Sequence, residues 1–267
     1  MGEKLAIWKT KHPYTVSRLK KEFQEQGIQA GDSIIFHSAM SKAGWICGGA
    51  IALINALQET LTEEGNLMMP SQTSGLTDPS TWENPPVPKE WWEEIWQEMP
   101  VFDKDRTPCF HMGVVAETFR ALPDVARSNH PFLSLTAWGK HADYLTKGQT
   151  LAHGLGENSP LAKLYAFPQA KIVLFGVDND RNTSLHLAEE RSKRIPVSQN
   201  KAVLLKNGVR ITETFEEAAY DSDRFIEIGR AYEKENGSCT VHIAGAASKI
   251  YPMRGLIDFA VSYLNTH

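Results

Sequence analysis

Cysteine is scarce. The 267 residues hold three, Cys47, Cys109 and Cys239, with no Cys-x-x-Cys pair among them. A disulfide-stapled miniprotein is therefore excluded, and an odd number of separated thiols points to a reducing compartment, the cytoplasm. Also missing is any run near the roughly 18 consecutive apolar residues that a membrane-spanning helix needs. The opening Met1-Gly-Glu-Lys-Leu-Ala lacks the apolar centre of a secretory signal, so no membrane partner is expected. Positive charge is not in excess. Lys and Arg total 28 against 32 for Asp and Glu, a net charge of -4, which leaves no global field to hold nucleic acid. No Gly-x-Ser-x-Gly elbow, Walker A loop or Gly-x-Gly-x-x-Gly turn follows a strand, which sets aside serine-hydrolase, kinase-like and dinucleotide-dependent chemistry. His-Glu-x-x-His and Cys/His clusters are absent too, and no bound metal is expected.

What is present is an ordinary globular composition, 42% hydrophobic and 22% charged, with a mean hydropathy of -0.34. The length suits one large domain or two small ones. Strand-like and helix-like patterns alternate. Thr15 can cap a helix whose apolar positions Val16, Leu19 and Phe23 recur every three or four residues, with Gly27 as the stop. Ser33 to Phe36 is a short apolar strand, Gly48-Gly49 opens a helix over Ala50 to Leu61, and Leu67 to Met69 is a second strand. Together they form a βαβ unit. Lys171 to Gly176 is the clearest buried strand, and Asn207-Gly208 between Lys201–Leu205 and Val209–Thr214 is a strong hairpin signal. Further helices are expected at Met112 to Leu122, Leu185 to Arg191, Asp223 to Lys234 and Leu256 to Leu264. No linker or repeat divides the chain. The expectation is a single compact α/β domain over residues 1–267, with a mixed, mostly parallel central sheet flanked by helices.

Residues 73–106 break this rhythm. Five prolines surround the stretch Glu90-Trp-Trp-Glu-Glu-Ile-Trp-Gln-Glu98, and so long an irregular segment reads as a lid-like insertion. Its acids can form a solvated face opposite inward-packed Trp92, Ile95 and Trp96, or an acidic lip that attracts a cationic substrate.

In a parallel sheet, ligands collect beyond the carboxyl ends of the strands. That rule selects His37-Ser38-Ala39-Met40-Ser41, Pro70-Ser-Gln-Thr73 and Val177-Asp-Asn-Asp-Arg-Asn182-Thr183-Ser184, with one shared site as the economical inference. Ser184 or Thr183 can cap the helix that follows. On that helix His186 and Glu189 are three apart and share a face, an arrangement open to structural pairing, general-base work or metal ligation. Gly48-Gly49 at a helix start offers free N–H groups to an anion. Arg127-Ser128-Asn-His130-Pro131 adds a guanidinium fork, a hydroxyl and an imidazole, although Arg127 can equally be a surface charge.

Taken together these residues resemble the aminoglycoside 3-N-acetyltransferase family. The matching motifs are His37-Ser38, Gly44-Trp45, Gly48-Gly49, Thr107-Pro108, Met112-Gly113 and Glu117. They continue with Arg127-Ser128-x-His130-Pro131, Ser134, Gly156-x-x-Ser159-Pro160-Leu161 and Asn182-Thr183-x-x-His186-x-x-Glu189. The resemblance implies acetyl transfer from acetyl-coenzyme A to an amine, the 3-amino group of a polycationic aminoglycoside, without an acyl-enzyme. It implies that His186 is the general base, with Glu189, Asp221 or Asp223 as the acid beside it. Ser38 with Ala39, Met40 and Ser41 would meet the pantetheine arm. His37, Gly48, Gly49, Arg127, Ser128, His130 and Ser134 would complete the coenzyme site, and Arg127 with Ser128 would meet its phosphates. Thr73, Asp78, Asn182 and Thr183 fall to the acceptor. Other amines as acceptors, a coenzyme A sensor without turnover, a metal-dependent hydrolase and assembly into a homo-oligomer stay open.

Overall fold

The computed structural model describes residues 3–83, 85–192 and 194–267. The chain opens with α1 (Glu3–Lys9) and α2 (Val16–Glu25), the second capped by the Thr15 hydroxyl, which accepts the Arg18 N–H, and followed by Gly27 at φ +81°. The βαβ unit follows as β1 (Ser33–Ser38), α3 (Gly49–Leu61) and β2 (Asn66–Pro70). The insertion contributes α4 (Trp92–Glu98), with Trp92, Ile95 and Trp96 half-buried and its glutamates in solvent. Next come α5 (Gly113–Arg120), β3 (Ala126–Arg127), β4 (Leu135–Gly139), α6 (Ala142–Thr146), α7 (Pro160–Tyr165), β5 (Lys171–Phe175) and α8 (Leu185–Arg191). The chain closes with β6 (Val197–Lys206), β7 (Val209–Ala218), α9 (Phe225–Asn236), β8 (Thr240–Ile243), β9 (Ala246–Pro252) and α10 (Met253–Thr266).

Seven strands form one sheet in the order β3-β4-β2-β1-β5-β9-β8. Side chains alternate across a strand, and this alternation sorts the core. Ile34 and Phe36 of β1 join Val173 and Phe175 of β5 under α2, α3 and α5, where Leu19, Phe23, Leu53, Leu57 and Phe119 are fully buried. Ile35, Ile172 and Leu174 face the other way, under α6 to α10 with Leu161, Leu185, Leu187, Ile228 and Leu256. The same period of two places His37 beside Ile35, on the side where α8 lies.

The sheet is mixed, as composition and pattern imply, but its parallel part is limited to the centre: β1 runs parallel to β2 and to β5. All other pairings are antiparallel. The cause is connection length. β8 and β9 are joined by Ala244-Gly245 at φ +50° and +75°, a tight turn that can only reverse the chain, and β3 returns into β4 after the short segment 128–134. The expected hairpin forms a separate two-stranded sheet, β6 with β7, turning at Asn207 (φ +52°) and Gly208 (φ +77°). No helix among the described residues is long and apolar enough to cross a membrane.

Candidate active site

The segments after β1, β2 and β5 meet at one cleft of about 600 Å³. His37 to Ser41, Pro70 and Gln72, and Val177 with Asp180 to Thr183 line it. Two further walls come from the starts of helices that the sequence marks as helices but does not mark as part of the site. One is the first turn of α5 with His111 and Met112 before it, where His111 (φ +57°) and Gly113 (φ +83°) bend the chain into the cleft. The other is Ser222 with Phe225 at the start of α9.

His186, on the first turn of α8, also lines the cleft. Its Nδ1 lies 2.6 Å from Glu189 Oε2, and the carboxylate, 6% exposed, accepts the Asp221 N–H on Oε1 at 3.0 Å. A ring whose Nδ1 donates to a carboxylate keeps its lone pair on Nε2, ready to take a proton. The expected hydroxyl cap is not formed. Ser184 Oγ has no partner, and Asn182 Oδ1 instead accepts the Ser184 N–H at 3.2 Å. His37 accepts the Thr183 N–H on Nε2 at 3.1 Å, tying the end of β1 to the start of α8. Burial, and secondarily the nearby His186, push its pKa down to about 3, so it stays neutral.

Several expected site residues lie elsewhere. The Asp221 carboxylate accepts the Asp223 N–H at 2.9 Å in an exposed turn, so Asp221 serves the dyad through its main chain and Asp223 does not reach it. Arg127, expected to meet phosphates, turns inward onto protein acceptors. Its Nε donates to Ser134 Oγ at 3.1 Å, one terminal nitrogen to the Ser71 carbonyl at 2.7 Å, and the other to the carbonyls of Thr107 and Lys104. Burial lowers this guanidinium to about 10, still charged at neutral pH. Ser128 Oγ accepts the Leu135 N–H and Ser134 Oγ donates to the Ser71 carbonyl, both at 2.8 Å. His130 closes the 128–134 turn by accepting two backbone N–H groups and donating to Leu151. These buried groups pin loops and do not line the cleft. Thr73 donates to the Pro131 carbonyl and Asp78 caps Ser80, again away from the cleft wall. Gly48 and Gly49, at φ +88° and +60°, start α3 beside Met40 and outside the cleft wall. Among the described residues no group of three or more His, Cys, Asp or Glu is placed to hold a metal ion.

The buried titratable groups give the fold a pH signature. Burial lowers His130 to about 4 and His37 to about 3 from an ordinary 6.5, so below pH 6.5 the unfolded chain binds more protons and acid destabilises the fold. Glu217 opposes this. Burial raises its carboxyl to about 7 from 4.5, and it favours the folded state most at low pH, losing that contribution as pH rises from 4.5 through 7. Two imidazoles against one carboxyl leave a net fall in melting temperature as pH drops from 6.5 to 5. Thermal melts should show that fall, and E217Q should steepen it; an E217Q slope equal to or shallower than the parent's contradicts the assignment.

An imidazole backed by a buried carboxylate thus stands where the central strands end in an open groove, an arrangement typical of an enzyme cleft. A family model described as aminoglycoside 3-N-acetyltransferase matches residues 35–265. The chain belongs to that family and is an acetyltransferase. It is 37% identical to the SPbeta prophage-derived aminoglycoside N(3')-acetyltransferase-like protein YokD of Bacillus subtilis (strain 168), over 96% of this chain and 94% of the relative. The YokD crystal structure superposes with a TM-score of 0.95, covering 98% of each chain. Aminoglycoside N(3)-acetyltransferase IX of Micromonospora chalcea is 30% identical over 94% of both chains. The structure of AAC-IIIb in binary complex with CoASH, at 27% identity, has a TM-score of 0.82 and covers 95% of this chain and 97% of that one.

Proposed function

We propose that this enzyme moves acetyl from acetyl-coenzyme A directly to an amine, the 3-amino group of an aminoglycoside, with His186 as general base and Glu189 as the acid that orients it. The observation that carries this reading is the 2.6 Å contact between His186 Nδ1 and Glu189, with the ring on the wall of the cleft. An ammonium has no lone pair to attack with, so the amine must lose a proton. The amine nitrogen attacks the thioester carbonyl carbon as its proton passes to His186 Nε2. The carbon–sulfur bond then breaks, and the departing sulfur takes the proton back, leaving imidazole, amide and thiol. Ser38 to Ser41 on one wall and Met112 with Val114 on another supply mixed polar and apolar surface suited to a pantetheine arm. The first turn of α5, with its backbone N–H groups and positive dipole end, stands at the same cleft and suits the developing oxyanion. The coenzyme-bound AAC-IIIb and the aminoglycoside acetyltransferases among the relatives support this assignment. An acidic α4 accords with a cationic acceptor.

The test is thiol release from acetyl-coenzyme A, followed with a thiol reagent across a panel of aminoglycosides and simpler amines. Release with at least one aminoglycoside is expected, with acetylated product confirmed by mass spectrometry. Coenzyme A binding without release above background for any amine would overturn the reading in favour of a sensor.

A further inference from the structure

More than a carboxylate holds the His186 imidazole. Its ring packs, tilted, against two aromatic rings, Tyr220 at 4.9 Å and Phe225 at 5.0 Å between centroids. Phe225 is fully buried in the core and fixed by packing. Tyr220 is only half-buried, on the short segment between β7 and α9, so packing alone does not fix it. Its hydroxyl does. It donates to Glu190 Oε1 at 2.6 Å, lies 3.1 Å from Glu217 Oε1, and accepts the Leu155 N–H at 3.1 Å. Those partners are held in turn, Glu190 by His153 Nδ1 at 2.9 Å and Glu217 by the Gly154 N–H at 3.0 Å. Thus α8, β7 and the 153–155 loop converge on one oxygen. Neither Glu190 nor Glu217 touches His186, and the adjacent glutamates of α8 divide the work: Glu189 meets the imidazole, Glu190 the tyrosine packed on it. The residue after Tyr220 also supplies the N–H that holds Glu189.

We propose that Tyr220 is a positioning residue for His186, its anchored hydroxyl fixing both the wall on which the imidazole rests and the Asp221 N–H that holds its carboxylate. This rests on His186 being the base. Tyr220 touches no reacting atom and acts through the imidazole, whose aim matters because a misplacement of about 1 Å can cost about 10²-fold in rate.

Steady-state kinetics on folded protein, confirmed by circular dichroism and assayed well below the melting temperature, test the proposal. Y220F keeps the ring and frees it. Its kcat should fall about tenfold, with KM for acetyl-coenzyme A and amine held within about twofold, and Y220L should lose about 10²-fold. E190A should match Y220F, and E190Q, whose amide oxygen still accepts the tyrosine proton, should recover most of that loss. A merely structural role lowers the melting temperature and leaves kcat per folded molecule unchanged. If Y220L does not fold, the E190A and E190Q pair decides. H186A separates the two readings: turnover retained there removes the base assignment, whereas turnover lost in H186A but intact in both Y220F and E190A overturns the positioning role alone.

Discussion

H186A is expected to slow acetyl transfer by about 10²- to 10⁴-fold, the range general-base catalysis supplies, while calorimetry shows acetyl-coenzyme A affinity within about twofold of the parent. The split follows from the geometry. His186 lines the cleft, and its own side-chain contacts are to Glu189, Tyr220 and Phe225. Truncation therefore removes a proton acceptor without dismantling the Ser38 to Ser41 wall or the start of α5. E189Q should show a smaller loss, because an amide can still orient the ring but cannot stabilise its charged form. Raising pH should partly restore H186A with a weakly basic amine, since the free amine then needs no base. Turnover in H186A within about tenfold of the parent would contradict the role.

R127M is expected to lower unfolding free energy by about 3–5 kcal/mol, because it leaves several buried acceptors without their donor. The guanidinium serves the carbonyls of Ser71, Thr107 and Lys104 and the hydroxyl of Ser134, and each buried acceptor left unpaired costs about 1–3 kcal/mol. R127K should fail nearly as badly, because an ammonium cannot reproduce a planar fork spread over three directions. Urea unfolding gives the stability and calorimetry the coenzyme affinity. A parent-like midpoint with weakened coenzyme A binding would contradict this and support the phosphate role.

The two predictions fall on opposite sides of what the sequence made legible. His186 and Glu189 could be paired in advance because i,i+3 spacing on a helix makes neighbours whatever the tertiary structure. Arg127 could not be placed, since Arg-Ser-Asn-His-Pro reads the same whether its donors face a phosphate or main-chain carbonyls. The answer depends on where Ser71 and residues 104–107 arrive, which spacing does not encode. Asp221 was a candidate for its carboxylate and contributes its N–H, a group every residue but proline carries. His111, Ser222 and Tyr220 reach the site through loop paths without periodicity. In the fold, Ile34, Ile35 and Phe36 marked β1 plainly, and Asn207-Gly208 marked its hairpin. Ala244-Gly245 makes a turn of similar handedness from a pair that carries no such flag, so β8 and β9, and with them the antiparallel arm, escaped notice.

Arg127 also sets how this chain can diverge. Ser71 and the 104–107 backbone meet on one guanidinium, so the stretch between leaves and rejoins the body at nearly a single point. For a loop already clasped at its base, a doubling of length costs only about 0.6 kcal/mol in closure entropy. On that arithmetic the tryptophan-rich acidic stretch can lengthen or shorten at little cost to the clasp beneath it.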